Sequence, residues 1–395
     1  MNRVNQQAMK STPSTPSAAS KGVLRTASAA LAVVALAALA ACSSGVDKPK
    51  PTALPDNVPL LGVQQVWTYK LPSIGFPLQT QVNGDTLTVA ASDGTVVAID
   101  ARTGAEIWRA SAGAPIEAGV GGDGTLTAVV TTNNEVVALQ AGKVLWKQRL
   151  SAEVYTAPLV AGKRVFVLAA DRTLSAYDGQ SGRRLWSQAR TPEALVLRKS
   201  GVLISVGDTL VTGVGGRLAG VNPANGTARW ELPIAAPRGT NDVERLVDLT
   251  GSVSRLGDSV CVRAYYASVG CVDAANGKMI WTKPSVGAEG VGGDDRNVYG
   301  TDNDGKVTAW RRADGSSAWV SELLKYRTLS APLAVGRSVV MGDNAGTVYL
   351  LSREDGSAVN RLSTDGSAIV TAPVLAGNTM VVVTRNGGVY GFRPE

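Results

Sequence analysis

The 395-residue sequence contains no histidine. That absence removes Ser-His-Asp and Cys-His nucleophile pairs, HExxH zinc sites and any imidazole general base. Cysteine is scarce: Cys42, Cys261 and Cys271 are the only three, and no CxxC pair occurs to frame a structural zinc site. The apolar run 29–41 holds thirteen residues, short of the roughly 20 that a membrane-spanning helix needs. A one-sided charge is lacking as well. Of the formal +7, four charges are Arg3, Lys10, Lys21 and Arg25, which stand before residue 42 without an acid; removing them from 39 basic residues leaves 35 against 32 acidic ones. No Lys/Arg cluster appears, so nucleic-acid binding is not expected.

What is present begins with a leader. Residues 1–25 are polar and basic, and Met9 is an alternative start that keeps Lys10, Lys21 and Arg25 ahead of the apolar run. The run has the length of a secretory h-region. It ends Leu39-Ala40-Ala41-Cys42, which resembles a bacterial lipobox. The resemblance implies cleavage after residue 41, a triacylated Cys42 and stable membrane anchoring, because each buried CH₂ contributes roughly 0.8 kcal/mol. Ser43 rather than Asp follows the cysteine, which by the usual sorting pattern implies the outer membrane. Pro49, Pro51, Pro55 and Pro59 follow, and such a stretch reads as an extended spacer. The expected division is 1–41 signal peptide, 42–62 lipidated Pro-rich tether and 63–395 folded domain.

The rest of the chain is a repeat. A turn glycine is followed four residues later by tryptophan in Gly104/Trp108, Gly142/Trp146, Gly182/Trp186, Gly226/Trp230, Gly277/Trp281 and Gly315/Trp319; after Gly356 the position is Asn360. These aromatic positions are spaced 38, 40, 44, 51, 38 and 41 residues apart. A period near 40 with several short strands per unit is a propeller signal. Hairpin pairs such as Asp93-Gly94, Asn133-Asn134, Asp171-Arg172, Gly215-Gly216, Asp304-Gly305 and Asn386-Gly387 recur at the matching place. The last unit stops three strands in, and residues 63–71 form a lone outer strand bearing Trp67 with no unit before it. Joining the two completes a blade and leaves no free edge. The expectation is an all-β, eight-bladed β-propeller of four-stranded blades, closed by the N-terminal strand.

Three features invite chemistry. Asp302-Asn303-Asp304-Gly305 looks like the start of a calcium loop, but Ala313 stands where the closing Glu belongs, and the turn reading is preferred. The glycine clusters 119–124 and 213–216 do not match a P-loop and are assigned to repeat turns. Cys261 and Cys271 flank the hairpin of the fifth unit: a three-residue loop centred on Tyr266 sets them face to face, whereas a two-residue loop points them to opposite faces. No metal and no cofactor is expected.

The repeat is broken at two consecutive connectors, Trp186 to Val202 and Trp230 to Val253, covering 16 and 23 residues where the others cover about 7 to 13. Both emerge from the same end of the ring, and long insertions on one face of a repeat protein are often its binding surface. The first carries Leu195-Val196-Leu197-Arg198 and the second Arg245-Leu246-Val247-Asp248. Counted back from the next inner strands, Leu197 and Asp248 should be neighbours. They form either a small patch of apolar anchors with orienting charges or packing that ties the loops to the blades.

The G-x-x-x-W mark resembles the repeats of quinone-dependent (PQQ) dehydrogenases, where the tryptophan packs between blades. An enzyme of that kind, using the central funnel, is the rival reading, but the chain lacks an adjacent Cys-Cys pair and a CxxCH haem motif. Lipobox, Pro-rich tether, eight repeats, L-x-L-R and R-L-x-D together resemble the BamB family more closely. That resemblance implies a non-enzymatic scaffold lipoprotein of the outer-membrane β-barrel assembly (BAM) complex, lipidated at Cys42 on the periplasmic face. It implies contacts of Leu195, Leu197, Arg198 and Asp248 with the POTRA domains of BamA, and through BamA with the other subunits; unfolded β-barrel substrates are further candidate partners. Thr250 stands where that family has a second acid, and Lys199 where it has glycine.

Overall fold

The computed structural model describes residues 49–191, 195–237, 240–242 and 244–395. The leader, Cys42 and the start of the tether lie outside the described residues. Among those described there is no helix; thirty-two strands form eight four-stranded antiparallel sheets. Seven sheets are consecutive in the chain, the first running from residue 81 to 111 and the seventh from 333 to 363, and are called blades 1 to 7. Blade 8 is composite: Val374–Ala376, Thr379–Val383 and Gly388–Pro394 are completed by Val63–Lys70 as the outermost strand, in register from Val63 opposite Pro394 to Lys70 opposite Gly388. The ring is thus closed by backbone hydrogen bonds between the two ends of the domain.

Middle strands carry the core. In Thr86–Ala90, Thr95–Asp100, Leu126–Thr131 and Glu135–Gln140 nearly every central residue is buried on both faces, because each blade is sandwiched between two others and alternation disappears. Val, Leu and Ala fill these positions, small enough for sheets to approach face to face.

The Gly/Trp mark proves to be an inter-blade joint. Six indole N–H groups donate to a carbonyl of the next blade's outer turn: Trp67 to Ala101 at 2.7 Å, Trp146 to Gly179 at 2.8 Å, Trp186 to Pro223 at 3.0 Å, Trp230 to Ala274 at 3.0 Å, Trp281 to Arg312 at 2.8 Å and Trp319 to Arg353 at 2.9 Å. The ring then lies over the turn glycine three residues further on. Gly182 has φ +70°, and a Cβ there would come within 2.6 Å of the Trp146 ring. Glycine and tryptophan of one unit therefore serve two different joints, one to the blade before and one to the blade after.

That arrangement explains Asn360. Blade 8 has no outer turn, since the chain's ends meet there, so a tryptophan would have no turn glycine to cover. Instead buried Asn360 donates to Leu61 O at 2.8 Å and accepts from Asn57 Nδ2 at 3.1 Å. The N-terminal segment continues backwards along blade 7: Leu60 N donates to Val359 O at 2.9 Å and Arg361 to Pro55 O at 2.6 Å, while Thr52 N reaches Lys325 O at 3.1 Å. The second half of the Pro-rich stretch is therefore docked on the propeller.

Two local expectations are corrected. Gly119, Gly121 and Gly122 belong to the inner strand Ile116–Gly122 rather than to a turn. Inner strands crowd the axis, and a Cβ at Gly121 would lie 1.7 Å from Pro158 O of the next blade. Blade 5 begins at Leu249, earlier than Val253, because an irregularity between Thr250 and Ser254 hides the strand's first residues. Asp302–Gly305 forms the blade 6 hairpin, with Gly305 N donating to Asp302 O at 2.9 Å.

Candidate functional site

Connectors from an outer strand to the next inner strand share one face of the ring with the hairpins between the two middle strands. On that face the connector after blade 3, between Arg184–Gln188 and Leu203–Val206, lies across the mouth of the axial funnel. It is tied to four neighbouring blades. Arg198 donates to Glu117 of blade 2 at 3.0 Å, and its guanidinium sits 5.4 Å from the Tyr155 ring centroid. Burial, then a hydrogen bond to Glu153, pushes the Tyr155 hydroxyl up to about 12, so the ring stays neutral beneath the cation. Lys199 pairs with Glu289, Gly201 N donates to Thr156 Oγ1 at 2.9 Å, and Gly251 N donates to Ser200 O at 2.6 Å.

Asp248 is the hub. One carboxylate oxygen accepts from the Leu197 backbone N–H at 3.0 Å, and the other accepts from Arg172 at 2.9 Å. Leu197 and Asp248 are thus neighbours, as their positions before the inner strands imply, although the strand starts used in that count shift. The repeat pattern does not single out Arg172, since Asp171-Arg172 reads there only as a hairpin turn. A signal existed: its φ is +65°, at a hairpin position that sibling blades fill with Gly94, Gly305, Gly346 and Gly387. Glu117 and Tyr155 carried no comparable mark.

The structure separates the candidate residues by orientation. Leu195 and Val196 are exposed at 41% and 37%, and the Arg198 side chain at 73%. Leu197 is half-buried and lines a small cleft of about 60 Å³ with Arg172, Asp248 and Leu249. The Asp248 side chain is only 15% exposed. Thr250 is buried in the inner strand opposite Arg263 and presents nothing outward. Beneath the connector the funnel encloses about 740 Å³, lined in part by Glu117, Arg198, Lys199 and Glu289. Its carboxylates at the mouth are engaged by cations, and among the described residues no group of three or more His, Cys, Asp or Glu converges to hold a metal. The arrangement offers apolar side chains and one splayed guanidinium, which suits recognition rather than bond-making.

Cys261 and Cys271 lie directly opposite across the central hairpin of blade 5, whose loop is the three-residue Tyr265–Ala267 type, and their sulfurs are bonded. The disulfide is fully buried against Trp281 and Trp310, remote from the connectors.

The chain as a whole is similar to known proteins. Residues 92–321 match the family model described as outer membrane protein assembly factor BamB. The outer membrane protein assembly factor BamB of Burkholderia pseudomallei (strain K96243) is 41% identical over 359 residues, covering 90% of this chain and 94% of that protein. Among solved structures, BamB from Moraxella catarrhalis superposes with TM-score 0.77 at 23% identity, covering 84% of this chain and 99% of that one. The quinohemoprotein alcohol dehydrogenase of Comamonas testosteroni superposes with TM-score 0.65 at 16% identity, over 86% of this chain and 78% of that one, a likeness of fold alone.

Proposed function

We propose, for a chain that belongs to the BamB family of outer membrane protein assembly factors, that the connector 195–198 is its docking surface for the POTRA domains of BamA. In this reading the protein is a non-enzymatic scaffold, anchored through a lipidated Cys42 to the periplasmic face of the outer membrane. There it holds BamA in a state that favours folding and insertion of β-barrel proteins. The supporting observation is the tie between the two long connectors. Asp248 fixes the backbone at Leu197, and the side chains of Leu195, Val196 and Arg198 on either side of it are exposed. Apolar anchors beside an orienting charge are the usual core of a small protein interface.

The roles within the patch differ. Leu195, Val196 and Arg198 supply contacts. Leu197 packs the connector onto the cleft below, and Asp248, turned inward, acts through the loop's shape. The test is capture of BamA from solubilised outer membranes by the variant Leu197→Ala with Arg198→Ala, beside the parent protein. Recovery should fall at least tenfold while the melting curve stays cooperative; undiminished recovery refutes the site. The dehydrogenase-like fold adds no second reading, because at 16% identity the likeness is one of fold alone.

A further inference from the structure

We propose that residues 52–62 are a latch that sets where the anchored N-terminal extension leaves the propeller, turning the connector face toward the membrane. The inference rests on the anchored reading of Cys42 and adds an orientation to it. The segment runs antiparallel to the outer strand Ala358–Ser363 of blade 7. At one end Gly62 O accepts from Glu395 N at 3.1 Å, and Asn360 holds Leu61 and Asn57. In the middle Arg361 grips Pro55 O, and Leu54 packs toward the cluster of Leu324, Tyr349 and Leu351. At the other end Thr52 N donates to Lys325 O, and Arg327 donates to Thr52 O at 2.8 Å.

Lys325 lies in the connector between Ser317–Ser321 and Leu333–Val335. That connector joins an outer to an inner strand, the class to which the connectors carrying Leu197 and Asp248 belong, so it emerges on the same face. The chain therefore leaves its groove on the face that bears the candidate docking surface. Reach changes as well. From Cys42 to Val63 an extended chain spans roughly 75 Å, but from Cys42 to Thr52 it spans at most about 35 Å. Pro55 and Pro59 have restricted backbones before docking, which lowers the entropy lost when the segment is held. Asn360, the residue that interrupts the tryptophan series, is the latch's keeper.

The experiment has two arms, both on the full-length protein purified from outer membranes. In the first, Leu60→Cys with Val359→Cys is oxidised; near-complete cross-linking is expected, and its absence in folded protein overturns the latch. In the second, a fluorophore is placed at Lys325→Cys or at Gly336→Cys, on the opposite face, in vesicles carrying acceptor-labelled lipid. The two faces are separated by a strand length, about 20 Å, so transfer should be higher from 325. The difference should collapse when Asn57→Ala and Arg361→Ala release the segment. Equal or reversed transfer in vesicle-bound protein overturns the orientation. Protein whose N-terminal peptide lacks the lipid mass would refute the anchor instead, with the cross-linking arm still deciding the latch.

Discussion

The sharpest consequence of the site geometry concerns Asp248. Replacing it with alanine removes the 2.9 Å pair with Arg172 and the 3.0 Å acceptor of the Leu197 N–H together. The side chains of Arg172 and Asp248 are 7% and 15% exposed, so water replaces the lost partner poorly. Breaking a buried pair from one side typically costs about 3–5 kcal/mol, and the residual exposure of Asp248 places this case near 3 kcal/mol. Asp248→Asn keeps an acceptor for Leu197 and should cost about half as much, within the range of a single charge-assisted hydrogen bond. Urea unfolding of Asp248→Ala, Arg172→Met and the double variant gives the coupling directly. It should be about 1.5–3 kcal/mol, with the double variant less destabilised than the sum of the singles. The informative readout is BamA capture by Arg172→Met. Arg172 is 6% exposed and cannot itself meet a partner, yet its loss should weaken capture about as much as Asp248→Ala does. Additive stabilities within about 0.5 kcal/mol, or full capture by Arg172→Met, would refute the claim that the pair shapes the connector.

Other predictions follow from the core and the joints. Cys261→Ser with Cys271→Ser opens a loop with a sequence separation of 10 residues and should lower stability by about 2–3 kcal/mol; urea curves identical with and without reductant in the parent would contradict this. Burial pushes the Asp294 carboxyl up, but hydrogen bonds from Tyr299 and from the backbone of Asn297 and Arg296, with Arg353 alongside, outweigh it and hold the group below its ordinary range. A lowered native value stabilises above the unfolded pKa, near 4, and the contribution is lost as pH falls through the native value. Asp294→Asn should therefore flatten the acid limb of stability against pH, and an unchanged limb would count against the assignment. Gly182→Ala forces a left-handed residue into the Trp146 ring and should cost at least about 1–2 kcal/mol, measurable by urea unfolding and refuted by parent-like stability.

How far the sequence revealed this depends on which residues repeat. Ring closure by Trp67 was legible because the last unit and residues 63–71 are complementary fragments of one pattern, and the pairing of Val63 with Pro394 is the physical result. The missing tryptophan at Asn360 was visible but not interpretable, since its meaning depends on the next blade having no outer turn. Gly119, Gly121 and Gly122 read as turn residues because a crowded inner strand, pressed at Gly121 by Pro158, and a turn both demand glycine. Leu197 and Asp248 were recognisable as a pair from their place before inner strands, whereas Arg172 was hidden: its hairpin position obscured a side chain that reaches another blade's connector. Docking of residues 52–62 had no compositional sign, because proline-rich segments look alike whether solvated or held.

The electrostatics of the patch constrain what a partner can gain from it. Arg198 is 73% exposed, but its carboxylate, Glu117, is only 7% exposed. A partner acid that drew the guanidinium fully away would leave Glu117 charged and poorly hydrated at the funnel mouth, which opposes the exchange. Recognition that keeps Arg198 on Glu117 and uses its outer edge avoids that penalty. On the proposed docking surface the guanidinium would then orient a partner whose main contacts are with Leu195 and Val196. There the same logic separates two classes of charge. The pair of Arg172 with Asp248 would hold the loop's shape, and the exposed edge of Arg198 would select among partners, so that shape and selectivity would be carried by different residues.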